Sequence, residues 1–505
     1  MATPVRCAIL TKALGAVATL ALASLSVSIA VAADSPVQPV FTPVQPQTFA
    51  AQKGLSNAWA DFDLDGDLDL AVSFVSGEIR LYRNEKGVFT NVGPALGLPT
   101  KSGNARSLAW GDYDGDGFPD LYVGTSDRPI PTRNLLFHNN AGAHFTEVAE
   151  KVGVAVVGAT TRQVNWIDYD ADGDLDLFVT QRQTPNVMLR NNGGIFTNVT
   201  VEAGLYDPRR TVAACWYDFD RDGDLDVFIG NQEGDKDGFF VNDNGKFHDS
   251  ARELGLEQGN RSLEEGTTGC SLGDYDNDGQ FELLVAGYGD NVLYRYDGRH
   301  LVNIASQVGL TLNEHQVGSS WGDFDMDGRI DFYVTGFRVD QPHARDHLYR
   351  NSPTGFVDVL PDLIRNDDAD HGVQWADFDG DGDPDLALVN GYDADGHHPL
   401  FRNDTSHPET VGLSIRALDA KGLSTRSGAE IRVLDRAGRI LGSRIMNSSG
   451  GYGAQNDIPV LFAVPQGRPV DIVVTYLTRA GRIEKIVRNV NPAQFRGRSL
   501  DVRSN

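Results

Sequence analysis

The stretch Asp61-Phe-Asp63-Leu-Asp65-Gly66-Asp67-Leu-Asp69 sets acidic side chains at positions 1, 3, 5 and 9 of a nine-residue loop, with glycine at position 6. The pattern returns at Asp112, Asp114, Asp116 and Asp120; at Asp168, Asp170, Asp172 and Asp176; and at Asp218, Asp220, Asp222 and Asp226. Three more copies follow: Asp274, Asp276, Asp278 and Glu282; Asp323, Asp325, Asp327 and Asp331; and Asp377, Asp379, Asp381 and Asp385. Successive copies begin 51, 56, 50, 56, 49 and 54 residues apart. All six tryptophans (Trp59, Trp110, Trp166, Trp216, Trp321, Trp375) stand two residues ahead of a copy, and only the fifth copy differs, with Leu272. One tryptophan per period at a fixed offset marks a repeat protein.

Four carboxylates in one loop lie within roughly 5 Å of one another, and each like-charge pair costs on the order of 3 kcal/mol at an effective dielectric near 20. Such loops need a compensating cation. An all-oxygen donor set at flexible spacing suits a hard ion of calcium's size rather than zinc or copper. The expected ligands are the acidic side chains named above together with the carbonyl at position 7, giving up to seven Ca2+ per chain. An EF-hand loop would need an acid at position 12 and flanking helices. Position 12 is instead aliphatic (Val72, Val123, Val179, Ile229, Val285, Val334, Leu388), among β-formers. These are loops between strands.

Past its loop each repeat continues with short apolar strands parted by turn residues. In the second, Leu121-Tyr-Val-Gly is followed by Asn134-Leu-Leu-Phe-His and His144-Phe-Thr-Glu-Val. Four strands per repeat, seven times over, predict an all-β chain folded as a seven-bladed β-propeller, with the tryptophans packed between blades. The seventh repeat lacks a fourth strand after Pro399–Asn403. Val40–Val44 is expected to supply it and close the ring, removing the exposed edge.

The Asp-Xaa-Asp-Xaa-Asp-Gly loops, with Leu-Tyr-Arg-Asn at 348–351 and Phe-Thr-Asn-Val at 89–92, resemble the FG-GAP/VCBS repeats of integrin α-type propellers and of many secreted bacterial proteins. The resemblance covers about residues 39–404. It implies calcium bound in the loop between the first two strands of each blade, with the fifth site weakest because Glu282 replaces aspartate. Residues 411–502 carry alternating strands without acidic loops and read as a small β-sandwich-like domain. Ser427-Gly-Ala429, Gly451-Tyr-Gly-Ala-Gln455 and the segment 471–481 resemble the ASPIC/UnbV module that follows such propellers in cartilage acidic protein-like chains.

Met1–Ala33 reads as a secretory signal: Arg6 and Lys12, an apolar stretch over 13–31, and small residues at 30–33. The expected location is secreted, periplasmic or cell-surface, with no membrane span once the signal is removed. The seven loops hold 32 of the 70 acidic residues, so the net charge of −26 belongs to the loops. No basic patch supports nucleic-acid binding. Cys215 and Cys270 lie three and four residues ahead of their loops and would face opposite ways on extended strands. They are expected to be buried thiols, the alternative being a disulfide between neighbouring repeats.

Loops on a rigid scaffold carry recognition, and here the variable set joins strands two and three, on the face opposite the acidic loops. His343, His347, His397 and His398 lie in that set. They read as solvated loop histidines in preference to a metal or substrate site. No nucleophile elbow, Cys-Xaa-Xaa-Cys pair or phosphate-cradling loop is present, so no catalytic residue is assigned. The leading expectation is a monomeric, calcium-stabilised, non-enzymatic scaffold binding an unidentified protein or glycan. The alternatives are a lyase or hydrolase acting on extracellular polysaccharide and a structural or assembly protein of the cell envelope.

Overall fold

The apolar runs flanking each acidic loop pair with one another, because the nine-residue loop reverses the chain. The register is the same in every repeat: Trp59 faces Leu70, Trp110 faces Leu121, Trp166 faces Leu177, Trp216 faces Val227, Leu272 faces Leu283, Trp321 faces Phe332 and Trp375 faces Leu386. The computed structural model describes residues 37–504 apart from 102, 127–131, 159, 257–259, 290, 311–314, 338–344, 366–369, 392–396 and 447–450. The signal read at 1–33, and His343, lie outside the described residues.

Each repeat becomes a four-stranded antiparallel sheet, and the seven sheets are the blades of a propeller. Their innermost strands are Gly54–Ala60, Ala105–Gly111, Thr161–Ile167, Thr211–Tyr217, Gly266–Gly273, Gln316–Gly322 and Asp370–Ala376. The outer strand of blade 7 comes from the N-terminal end, as expected. Phe41–Val44 pairs with Leu400–Asn403, Phe41 opposite Asn403. Among the described residues seven apolar clusters fill the spaces between successive blades, and the one holding Trp59, Phe378 and Val389 joins blade 7 to blade 1. The ring is closed.

The tryptophans sit in those spaces. Trp110, Trp166 and Trp375 each donate their indole N–H to a carbonyl of the preceding blade, Ala58, Ala109 and Ser320, at 3.2–3.3 Å. A Cβ on Gly111 would lie 2.6 Å from the Trp166 ring, so close packing fixes glycine there.

A second device ties blade to blade. The asparagine ending each third strand donates its side-chain N–H to the carbonyl of loop position 2 in the preceding blade: Asn84 to Phe378, Asn139 to Phe62, Asn191 to Tyr113, Asn242 to Tyr169, Asn351 to Tyr275 and Asn403 to Phe324. Asn403 is thereby buried.

The interface between blades 4 and 5 has neither device. Tyr296 replaces the asparagine and stacks edge-on against Phe219 at 4.9 Å, while Leu272 replaces the tryptophan. Here Cys215 and Cys270 form a disulfide with Cα atoms 6.1 Å apart, which corrects the expectation of two free thiols. Their opposite facing is what permits the bond. Blade 4 presents one face to blade 5 and blade 5 presents its other face back, so residues of opposite parity meet.

The C-terminal region forms two sheets around one core that includes Leu413, Ile431, Phe462, Ile472 and Tyr476. One is three-stranded (Val460–Pro465, Thr410–Leu418, Leu500–Arg503) and the other four-stranded (Ile440–Ile445, Glu430–Leu434, Val470–Thr478, Gly481–Val490). They cap the face of the propeller that carries the acidic loops: Thr410 Oγ1 donates to Met326 O at 2.6 Å, Arg432 to Gly279 O at 3.2 Å, and Arg426 to Asp168 at 3.1 Å.

Residues 451–457 run along the central channel toward this cap, in the same direction as the innermost strands. Ala454–Gln455 pairs in parallel with Leu108–Ala109 of blade 2, and Asp457 bridges to Ala60 of blade 1. Gln455 exchanges two hydrogen bonds with the backbone of Trp166, Asn456 accepts from Trp59 N, and Gly451 donates to Ser319 O. The inner edge of a propeller's first strands is an unpaired row of backbone groups. This finger satisfies part of that row.

Replacing Cys215 and Cys270 together by alanine should therefore destabilise the fold by about 2–4 kcal/mol. The check is the denaturant midpoint of the oxidised protein against the double variant. An unchanged midpoint would mean that the interface between blades 4 and 5 does not depend on the bond.

Candidate metal loops

Each loop is shaped before any ion is considered. Position 6 is glycine at φ from +86° to +107°, which only glycine adopts readily. Position 4 is also left-handed, even where it is Leu64, Ala171, Arg221, Asn277 or Met326. Around these two reversals the acid of position 1 is buried or half-buried in every loop, whereas that of position 5 is exposed in six of the seven.

The carboxylates are held individually. At position 1 the Oδ2 atom accepts the N–H of the position-6 glycine in all seven loops, at 2.9–3.2 Å. At position 9 the acid is fully buried in every loop. One of its oxygens accepts the position-2 amide at 3.1–3.4 Å. In every loop but the fifth, the other oxygen accepts the backbone N–H of the latch asparagine at 2.7–2.8 Å. At position 5 the Oδ1 atom accepts the position-7 amide.

These bonds leave oxygen atoms over. Asp168 Oδ1, Asp218 Oδ1 and Asp377 Oδ1 at position 1, and Asp63 Oδ1 and Asp325 Oδ1 at position 3, are buried with no hydrogen-bond partner. In the groups Asp61–Asp63–Asp69, Asp112–Asp114–Asp120, Asp168–Asp170–Asp176 and Asp218–Asp220–Asp226, one oxygen from each acid lies within 4.8 Å of the others. Convergent all-oxygen donors, buried at position 9 and open to solvent at position 3 in the second and fourth loops, fit a hard divalent cation.

Burial, with the like charges of the same loop behind it, raises the proton affinity of these acids. Asp61 and Asp218 are pushed up to about 6, Asp112, Asp168 and Asp377 to about 7, and Asp69 to about 8. Asp176, Asp226, Asp331 and Asp385 move well upward for the same reason.

Arginines supply part of the missing positive charge, and sequence reasoning had assigned none of them. From the cap, Arg426 bonds Asp168 Oδ2, Arg482 bonds Asp218 Oδ2, and Arg479 reaches Asp170 and Asp172 at 3.5 and 3.6 Å. Arg416 and Arg444 face the cavity of about 920 Å³ between cap and propeller, which Asp61, Asp112, Asp323 and Asp377 also line. Within the blades, Arg83 pairs with Asp63 at 2.8 Å and His138 with Asp114 at 3.4 Å. The available signal was the Leu-Tyr-Arg-Asn motif itself: its arginine reaches the loop and its asparagine forms the latch.

The variable-loop histidines are not brought together among the described residues. His347 is buried in blade 6, its Nδ1 2.9 Å from Asp358 Oδ2, and stacks on Tyr349. His398 is buried between blades 7 and 1, with Nε2 2.7 Å from the Tyr82 hydroxyl, and burial lowers it to about 4. His397 is exposed. Two of the three described histidines are thus core residues, neither solvated nor grouped into a site.

The raised acids fix the sign of a pH effect. A carboxyl whose folded pKa exceeds its unfolded value of 3.8 binds protons more tightly when folded, so stability falls as pH rises from about 4 to about 8. Protein stripped of divalent ions should accordingly melt lower at pH 8 than at pH 5. Saturating calcium should flatten or reverse that slope, as read by scanning calorimetry at both pH values.

Comparison with known proteins agrees with the loop geometry. The FG-GAP-like repeat family matches residues 61–123, 168–229, 218–285 and 274–334, and the FG-GAP repeat matches 104–143. Cartilage acidic protein 1 of Xenopus tropicalis is 28% identical over 205 residues, covering 39% of this chain and 31% of the relative. The matched region thus spans about a third of that relative's length. Among solved structures, BBS1N in complex with ARL6DN aligns over 73% of this chain and 99% of its own, with TM-score 0.46 and 11% identity. A rhamnogalacturonan lyase of Bacillus licheniformis aligns over 72% and 75%, with TM-score 0.38 and 12% identity. FG-GAP repeats are thus present in this chain, within an all-β fold of propeller blades.

Proposed function

We propose that this chain is an exported, calcium-stabilised propeller that recognises a protein or glycan through the face opposite its acidic loops, without catalysing a reaction. The observation that carries the reading is the burial of unpartnered carboxylate oxygens in loops of one design, beneath a cap that covers them. Acids buried in this way are expensive unless paired or metal-bound. Calcium satisfies the donor set, with positions 1, 3, 5 and 9 as side-chain ligands. Its role is then to hold the first two strands of each blade, and the cap above them, in place. Among the described residues no helix is long and apolar enough to cross a membrane. The disulfide fits an oxidising compartment, and both fit export directed by residues 1–33.

With the loop face covered, recognition falls to the loops joining strands two and three. The C-terminal sheets are, on this reading, an ASPIC/UnbV-like module whose 451–457 finger locks the ring.

Calcium at a hundredfold over its dissociation constant adds roughly 2.7 kcal/mol per site. Melting of the mature protein should therefore rise by many degrees with calcium and fall on chelation. An identical melting curve in chelator and in calcium would exclude the metal reading. Recognition is tested separately, by screening the calcium-loaded protein against glycan arrays and extracellular proteins. Specific binding should be abolished by charge reversals in the loops joining strands two and three and unaffected by changes on the cap.

A further inference from the structure

The seven blades differ in the residue that stands just before the latch position, which is asparagine in six blades and Tyr296 in the fifth. Blade 1 has Arg83, which touches one ligand acid, Asp63. In blade 2 His138 Nδ1 lies 3.4 Å from Asp114 and 3.2 Å from Asp120, but an imidazole can give up its proton and leave those oxygens to an ion. Blade 4 has Val241, and in blade 7 Arg402 turns away to Asp404. Blades 5 and 6 are different. Arg295 Nε donates to Glu282 at 2.7 Å while Nη2 donates to Asp276 at 2.6 Å, and Asp278 lies 4.0 Å away. One guanidinium therefore spans positions 3 and 9, between which an ion would sit. In blade 6, Arg350 Nε bonds Asp325 and Nη2 bonds Asp327 at 3.0 Å, with Arg329 also on Asp327. Arg350 and Asp325 are both buried.

The fifth loop's departures now form one set. Glu282 is longer than aspartate by one methylene, which carries its carboxylate out to Arg295. The asparagine whose backbone amide holds position 9 elsewhere is Tyr296, and no bond from it to Glu282 accompanies the ion pair. A planar guanidinium offers several donors fixed in a fork, so it can satisfy two carboxylates at once and never loses its proton. A divalent ion and this guanidinium would compete for the same oxygens.

We propose that Arg295 and Arg350 take the place of the ion in the fifth and sixth loops. The chain then holds ions in loops 1 to 4 and 7, about five rather than seven, and the sector of blades 5 and 6 is assembled independently of metal. This rests on the calcium reading of the other loops.

The test is the calcium content of the full mature chain, by equilibrium dialysis and elemental analysis, beside circular dichroism for folding. The unaltered protein should bind about five ions. Arg295→Met should gain about one. Arg350→Met should do the same if it folds, although it leaves buried Asp325 unpaired. Two further variants need no repacking of that pair: Asp276→Asn should leave the count unchanged, whereas Asp170→Asn should lower it by about one. A count of six or seven in the unaltered protein, or an ion lost on Asp276→Asn, would overturn the proposal. Binding of no ion at all would instead overturn the calcium reading beneath it.

Discussion

The carboxylate at loop position 9 is the point on which the rest of this structure turns. It is fully buried in every blade, and in six of the seven it is shared between two networks. One oxygen holds the amide that starts the loop and the other holds the amide of the latch asparagine, whose side chain then binds the preceding blade. The acidic loop and the joint between blades are thus one hydrogen-bonded assembly. A buried acid with like charges close by is costly. The fold offsets part of that cost with backbone amides and with arginines from blade and cap.

The cap changes what an acidic propeller face can do. Left open, loops with this charge density would be a polyanionic surface. Covered by sheets that send Arg426, Arg479 and Arg482 into the third and fourth loops, they become an interior interface. The finger at 451–457 extends the same logic down the axis, where five innermost strands meet it through backbone or side-chain bonds. Propeller and cap consequently form one compact unit over Gln38–Asn505.

Much of this was legible in the sequence because it is periodic. The number of blades, the strand pairing across each loop, the inter-blade tryptophans and the closing strand at 41–44 all follow from spacing and apolar pattern. What escaped was set by contacts between repeats and across the chain. Cys215 and Cys270 have opposite parity on their strands. Sequence alone counted that against a bond, whereas in a ring of blades opposite parity makes two residues face one another. Arg426 and Arg482 lie more than 250 residues from the aspartates they bind, and no local pattern marks them. His347 and His398 looked like loop residues but end in the core, because each finds a polar partner there, Asp358 and Tyr82.

The central claim is that the acidic loops are cation sites built into the joints of the ring. Anomalous diffraction from crystals of the mature protein grown in calcium tests it most directly. The account predicts peaks enclosed by the acids of positions 1, 3, 5 and 9 in the third, fourth and seventh loops, within bonding distance of Asp168 Oδ1, Asp218 Oδ1 and Asp377 Oδ1. An unchanged fold with no peak in those three loops, their oxygens met by water or arginine instead, would contradict it.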